Sequence, residues 1–402
     1  MRIAGLFFCC VLLADCSRMT GFSPPPGDAP GQYAPAQHRA PAGIFKTLHN
    51  FEGSPDDGAT PQAGLIHALG VLYGTTSEGG SQDGACASFG CGTVFAITPS
   101  GVEHALYRFQ SSPDGASPEG DLVSIGGALY GTTEYGGANC NQTGCGTLFK
   151  VSLDGTESVL HSFGSGADGY FPQGGLLAIR QTLYGTTTGG NGAVFQADTL
   201  GDERILYAFN GGANDGAGPL GDLIAANGNL YGTTHAGGTQ DVGTIFEVSR
   251  SGQERVLHSF DYHTDGGDPL AGLVALNGVF YGTTSEGGKY GKGTVFAVTP
   301  SGRVHVVHNF EGYAKGDGAY PYASLVVAKG ALYGTTRGGG TTGGGTVFEV
   351  DALGPERVVY NFDFAPHGRH PFARLLLLGK ELYGTTCYGG TGKGGTVFRV
   401  SE

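Results

Sequence analysis

Leu72-Tyr73-Gly74-Thr75-Thr76 is the first of seven near-identical pentapeptides in this chain. LYGTT returns at Leu129, Leu183, Leu230, Leu332 and Leu382, and as FYGTT at Phe280. The tyrosines fall at Tyr73, Tyr130, Tyr184, Tyr231, Tyr281, Tyr333 and Tyr383, separated by 57, 54, 47, 50, 52 and 50 residues. A period near 50 matches one four-stranded propeller blade and is too long for ankyrin, tetratricopeptide or leucine-rich units.

Outward from LYGTT each unit continues in the same order. A loop with Gly-Gly leads to GTVFAI at Gly92, matched by GTLFKV at Gly146, GAVFQA at Gly192, GTIFEV at Gly243, GTVFAV at Gly293, GTVFEV at Gly345 and GTVFRV at Gly395. A short turn such as Thr98-Pro99-Ser100-Gly101 follows, then a segment ending LYRF at Phe109. A loop with Asp-Gly and Pro comes next, and then an apolar run such as Asp121-Leu122-Val123. Four short runs rich in Val, Phe, Tyr and Thr, punctuated by Gly and Pro, read as β-strands. Apolar residues on both parities, as at Val94 and Phe95, indicate sheets buried on both faces. The small residues of YGTT suit close approach of neighbouring sheets.

The two ends complement each other. Ile44 to Phe51 carries the fourth-strand pattern before any LYGTT, and the last unit stops after its third strand at Gly395 to Val400. Seven fourth-strand phenylalanines (Phe51, Phe109, Phe163, Phe209, Phe260, Phe310 and Phe362) match seven LYGTT copies. The expected fold is all-β: a seven-bladed β-propeller of four-stranded blades, residues 44–402, closed by the N-terminal strand. Closure hides the open edges of a linear array, and a monomer is expected.

Composition narrows the function. Of 402 residues 77 are Gly, without a collagen triplet, so the glycines belong to turns and tight packing. Trp is absent, which argues against WD, kelch and Asp-box blades. The net charge of -13 and the lack of a basic stripe argue against nucleic acid. Met1-Arg2 and the apolar run Ile3 to Ala14 resemble an export signal too short to span a bilayer. Leu13-Ala14-Asp15-Cys16 resembles a lipoprotein processing site with Cys16 lipidated, although Asp15 stands where a small neutral residue is usual; plain secretion is the alternative. Residues 1–16 are therefore assigned to the signal, and 17–43, rich in Pro, Gly and Ala, to a disordered tether. The expected location is extracytoplasmic, as an outer-membrane or cell-surface lipoprotein or a secreted protein, with membrane contact only through the lipid.

LYGTT–GG–GTVF with a trailing LHxF–DG–P segment resembles the GloVer tandem repeat of exported bacterial proteins with varied anchoring signals, over all of Ile44 to Val400. The resemblance implies an extracytoplasmic location. It brings no established activity, and no catalytic residue is carried over from it.

Loops joining strands two and three, and strand four to the next blade, should share one face. Cys86 and Cys91, and Cys140 and Cys145, occupy equivalent loops and read as two local disulfides rather than metal ligands. Cys387 is left over, as an inert thiol, a nucleophile or an intermolecular partner. Asp-Gly-x-x-Pro recurs at Asp57, Asp114, Asp168, Asp215, Asp265 and Asp317. These rim carboxylates are expected to cap their own turns, with calcium or a hydroxyl-rich ligand as the other reading; no other cofactor or metal is expected. Blade seven breaks the pattern with Pro366-His367-Gly368-Arg369-His370-Pro371, and Arg374 replaces the Gly64, Asp121, Gly175, Asp222, Gly272 or Ser324 of other blades. With Arg337 and Tyr388, residues Arg369, His370 and Arg374 mark a cationic sector on an acidic rim. It is suited either to an acidic glycan or to internal charge balance. Two classes of function stay open: a binding or interaction scaffold for an extracellular glycan or surface protein, and an extracellular polysaccharide hydrolase or lyase. No catalytic residue is distinguishable, because six equivalent carboxylates give no basis for choosing a pair.

Overall fold

The computed structural model describes residues 44–401, apart from 83–85, 141–142, 166–167 and 352–355. The expected export signal, Cys16 and the tether lie outside the described residues. Blade one is an antiparallel sheet of Ile66–Ala68, Val71–Thr76, Thr93–Ile97 and Glu103–Arg108, in sequence order from the inner to the outer strand. Six further four-stranded sheets follow, one for each LYGTT. The seventh contains Leu376–Leu378, Glu381–Thr386 and Thr396–Ser401, and its outer strand is Phe45–Asn50 from the other end of the chain. That closing pair runs from Phe45 opposite Val400 to Asn50 opposite Thr396. The fold is the expected seven-bladed propeller.

The repeated residues each have a physical reason. Leu and Tyr of LYGTT point to opposite faces, as the period of two demands. Leu72, Phe95 and Ile97 pack back onto Phe51, Tyr383 and Val397 of blade seven. Tyr73 and Val94 pack forward onto Leu122, Leu129 and Phe149 of blade two. The molecule therefore has seven apolar cores, each shared by two adjacent blades. Each contains one buried phenylalanine at the end of an outer strand, such as Phe109, whose burial contributes about 1.5–3 kcal/mol.

Gly74 lies opposite Phe95 on the neighbouring strand, and a Cβ there would fall 2.7 Å from that ring's tip. The close approach that requires this glycine is thus inside a blade, not between blades as the sequence suggested. The threonines divide the labour. In five blades the first hydroxyl reaches the next blade, as in Thr233 to Ala271 O at 2.8 Å and Thr335 to Ala373 O at 3.2 Å. In six blades the second pairs across its own sheet, as in Thr76 with Thr93 at 2.8 Å; in blade three Ala193 stands opposite Thr187 instead. Gly58 of the Asp-Gly turn lies on the Thr76–Thr93 pair, where a Cβ would meet Thr76 at 2.5 Å.

In each blade the third and outer strands are offset by a bulge just before the His or Tyr of the LHxF segment; in blade one Val94 faces Tyr107 while Phe95 faces Ala105. Bulges of this kind re-aim side chains. The first strand also starts later than the sequence suggested, at Val123 rather than Asp121. This leaves Asp121 at the channel mouth, where it accepts the Gly64 N–H from blade one. Both loop disulfides are present, Cys86–Cys91 and Cys140–Cys145. Cys387 is completely buried and is not a free thiol.

A chain beginning at Gly53 loses the outer strand of blade seven, uncovers the edge of Thr396–Ser401 and strips Phe45 and Phe51 from the two cores beside it. It should melt well below the full chain, by several kcal/mol of stability as for loss of a central element, measured by calorimetry or circular dichroism.

Candidate functional site

The two long loops of each blade emerge together and are laced by short ladders. Gly58–Ala59 pairs with Glu78–Gly79, and Gly318–Ala319 with Gly338–Gly339. In blade seven the lacing is the bridge of Arg369 with Tyr388. This puts both loop sets on one face, around an axis bounded by the segments before each first strand.

At the axis the equivalent positions are Gly64, Asp121, Gly175, Asp222, Gly272, Ser324 and Arg374. Glycine N–H groups donate to the next blade's side chain: Gly175 to Asp222 at 2.7 Å and Gly272 to Ser324 at 2.9 Å. Arg374 Nε donates to Asp121 Oδ2 across the mouth at 2.6 Å. The charge of Asp121 raises the Arg374 pKa further, against the effect of burial, with Asp222 adding to it. Burial and the neighbouring Asp121 push Asp222 up to about 6, although Arg374 and the Gly175 N–H oppose this. The cavity left at the axis is about 110 Å³, well below the ~300–1,000 Å³ of ordinary ligand pockets.

Around this plug the mouth is chemically divided. On one side Gln62 and Gln173 both donate to Glu119, each at 3.3 Å. On the other, Tyr322 and Phe372 meet edge to face at 5.0 Å. The Arg337 guanidinium lies over both rings, at 5.6 and 5.7 Å. Arg369 lies over Phe364 at 5.1 Å and over its bridge partner Tyr388 at 5.5 Å. His370 sits between these groups, its Nδ1 2.9 Å from Arg337 O and its ring 6.1 Å from that of Tyr388. Burial, then the charges of Arg337 and Arg369, depress its pKa to about 4, so it is a neutral imidazole at physiological pH. Arg337, Arg369, His370 and Tyr388 are thus brought together, while Arg374 lies inward with Asp121.

The six rim aspartates sit near the outer strands, each accepting from an outer-strand His or Tyr and from a backbone N–H of its own turn. Asp114 accepts Tyr107 Oη at 2.8 Å, the Gln110 N–H at 2.9 Å and its neighbour Gly115 N–H at 2.6 Å. Asp215 likewise takes Tyr207, while Asp57, Asp168, Asp265 and Asp317 take His49, His161, His258 and His308. Beside five of them, across the seam between blades, stands a glutamate that opens the next outer strand: Glu103, Glu157, Glu203, Glu254 or Glu356. Sequence reasoning passed over these glutamates and the outer-strand histidines. The signal was a Glu two residues after the turn glycine in five of seven repeats.

The fold and its repeated site define a closed β-propeller built from a bacterial tandem repeat. The Gloeobacter/Verrucomicrobia repeat matches residues 37–192, 144–317 and 276–402, and the chain belongs to that family. No curated protein matches it. Among solved structures it is similar to a gluconolactonase from Xanthomonas campestris, with 14% identity and a TM-score of 0.40 over 63% of this chain and 78% of that one. A likeness at that level carries no argument about function.

Burial, then the charges of Asp114 and Asp215, push Glu157 and Glu254 up to about 7. Between the unfolded value near 4.5 and 7 the unfolded chain loses these protons first. Their stabilising contribution is therefore present at low pH and lost as pH rises through 7. Glu157→Gln with Glu254→Gln should melt like the parent at pH 5 and above it at pH 8, measured by calorimetry across that range.

Proposed function

We propose that this propeller is an extracytoplasmic binding module whose long-loop face holds an acidic glycan over blades six and seven. The observation that carries the reading is the pair of guanidiniums, Arg337 and Arg369, each held over two aromatic rings beside the mouth. Ring stacking holds a guanidinium by its face, while carboxylate and sulfate are recognised through its N–H edge. Aromatic side chains around it offer apolar area to a sugar face. His370, neutral and half-buried between the two arginines, adds hydrogen bonding without charge. Arg374 is matched by Asp121 and belongs to the plug rather than to the grip. The small axial cavity supports binding across the surface over hydrolysis or elimination in a deep cleft.

The two loop disulfides fit an oxidising compartment. Export, with anchoring through a lipid at Cys16, completes the proposal: a scaffold displayed at the cell surface that retains polysaccharide.

The test is retention on an immobilised acidic polysaccharide such as polygalacturonate, with neutral dextran as control. The parent should be held on the acidic medium and released by salt. Arg337→Ala and Arg369→Ala should each weaken binding roughly tenfold, the loss of one charge-assisted hydrogen bond. Equal retention of a correctly melting double variant would remove the site. Shortened chains in a parallel turnover assay would favour the hydrolase or lyase.

A further inference from the structure

Three seams between blades bring one imidazole and two carboxylates together: His49, Asp57 and Glu103; His161, Asp168 and Glu203; His308, Asp317 and Glu356. In each, one nitrogen and two oxygens lie within 4.8 Å of one another. His and Asp come from the outer strand and following turn of one blade, and Glu from the outer strand of the next. The His Nε2 to Asp Oδ2 distances are 3.1, 3.0 and 3.2 Å. Ligands at right angles around an ion, with bonds of about 2.1 Å, are themselves about 3.0 Å apart. The spacing thus suits adjacent metal ligands as well as a hydrogen bond.

The glutamates are the groups left without an account. The Glu103 side chain is only 10% exposed, and its Oε2 stands 3.8 Å from His49 Nε2, at the distance of a loose ion pair rather than a hydrogen bond. Oε1 of Glu203 and of Glu356 is buried with no hydrogen-bond partner among the described residues. A buried carboxylate oxygen left unsatisfied beside a second carboxylate is costly, and a cation between them satisfies both.

We propose that these three His–Asp–Glu seams bind a divalent first-row metal ion, each ion joining two adjacent blades. One imidazole with two carboxylates suits Mn²⁺ or Zn²⁺ better than Ca²⁺, which takes six to eight oxygens. The ligand set therefore differs from a calcium site on the rim aspartates alone. To ligate, the imidazole carries its proton on Nδ1 and turns the Nε2 lone pair inward.

The other seams are internal controls. Two carry Tyr107 and Tyr207 in place of His, and keep Glu157 and Glu254 with the same unpartnered oxygen, so the imidazole is what sets the three apart. A fourth keeps His258 and Asp265 but has Val304 at the glutamate position. Between blades six and seven Phe45 takes the glutamate position and stacks on Tyr360 at 4.0 Å.

The experiment titrates Mn²⁺, which has little affinity for thiols, into the full chain stripped with chelator, counting free aqueous Mn²⁺ by electron paramagnetic resonance. Three equivalents should be taken up, one for each His–Asp–Glu set, with a rise in melting temperature. Glu203→Gln should remove one equivalent. Val304→Glu should add one by completing the fourth seam, while Val304→Gln and Glu381→Gln should change nothing. Because Val304→Glu tests a gain, a folding defect in the loss variant does not blur the result. Absence of uptake overturns the proposal, as does uptake indifferent to Glu203→Gln and Val304→Glu, or uptake that Glu381→Gln lowers equally. Each of those outcomes leaves the glutamates as protonated neighbours of the aspartates.

Discussion

A sheet that is apolar on both faces cannot stand alone in water. Every blade here is of that kind, with Leu72 on one face and Tyr73 on the other. The only way to bury all such faces with short connections is to give every sheet two neighbours, and that condition closes a row into a ring. The seven shared cores, the hydroxyls passed from blade to blade and the glycines where strands or turns press together follow from that condition. Even the axial plug obeys it. Each backbone N–H that three inward-turned glycines present is taken by a neighbour's Asp or Ser.

The scaffold leaves function to the departures from it. Repeated residues are spent on contacts every blade needs, and the rim aspartates fall in this group because each is occupied by a backbone N–H of its own turn and by an outer-strand His or Tyr. What differs between blades concentrates at two places. At the mouth, amides and a carboxylate on one side face aromatics and arginines on the other. At the outer seams, one position alternates between His and Tyr and another among Glu, Val and Phe. The first supports a ligand laid across a surface; the second supports small ions set between sheets.

How far the sequence carried the structure depends on how each feature is written in it. The blade count and the closing strand were legible because LYGTT and GTVF recur at nearly fixed spacing and the N-terminal Ile44 to Phe51 completes the set. Arg337 and Arg369 stood out as breaks in the repeat. The rings under Arg337 did not, because Tyr322 and Phe372 come from adjacent blades and meet only once those blades pack. The seam glutamates were hidden differently. Each is a single polar residue at a strand start, where a solvated position is the ordinary expectation. Only packing against the preceding blade turns it into a buried carboxylate. Asp121 was misplaced by two residues into a strand, since nothing local says that the chain bends inward there to meet Gly64.

The closing strand has a consequence for how the molecule comes into being. Ile44 N–H bonds to Ser401 Oγ, a partner 357 residues later in the chain. In chain order the first strand of the ring is therefore the last to find its place, and six blades can assemble before the seventh is completed. The entropy of joining ends so far apart grows only with the logarithm of their separation, so the delay is one of time more than of free energy. A chain that ends before Thr396–Ser401 leaves Phe45–Asn50 without its partner, so no ring short of that strand can close.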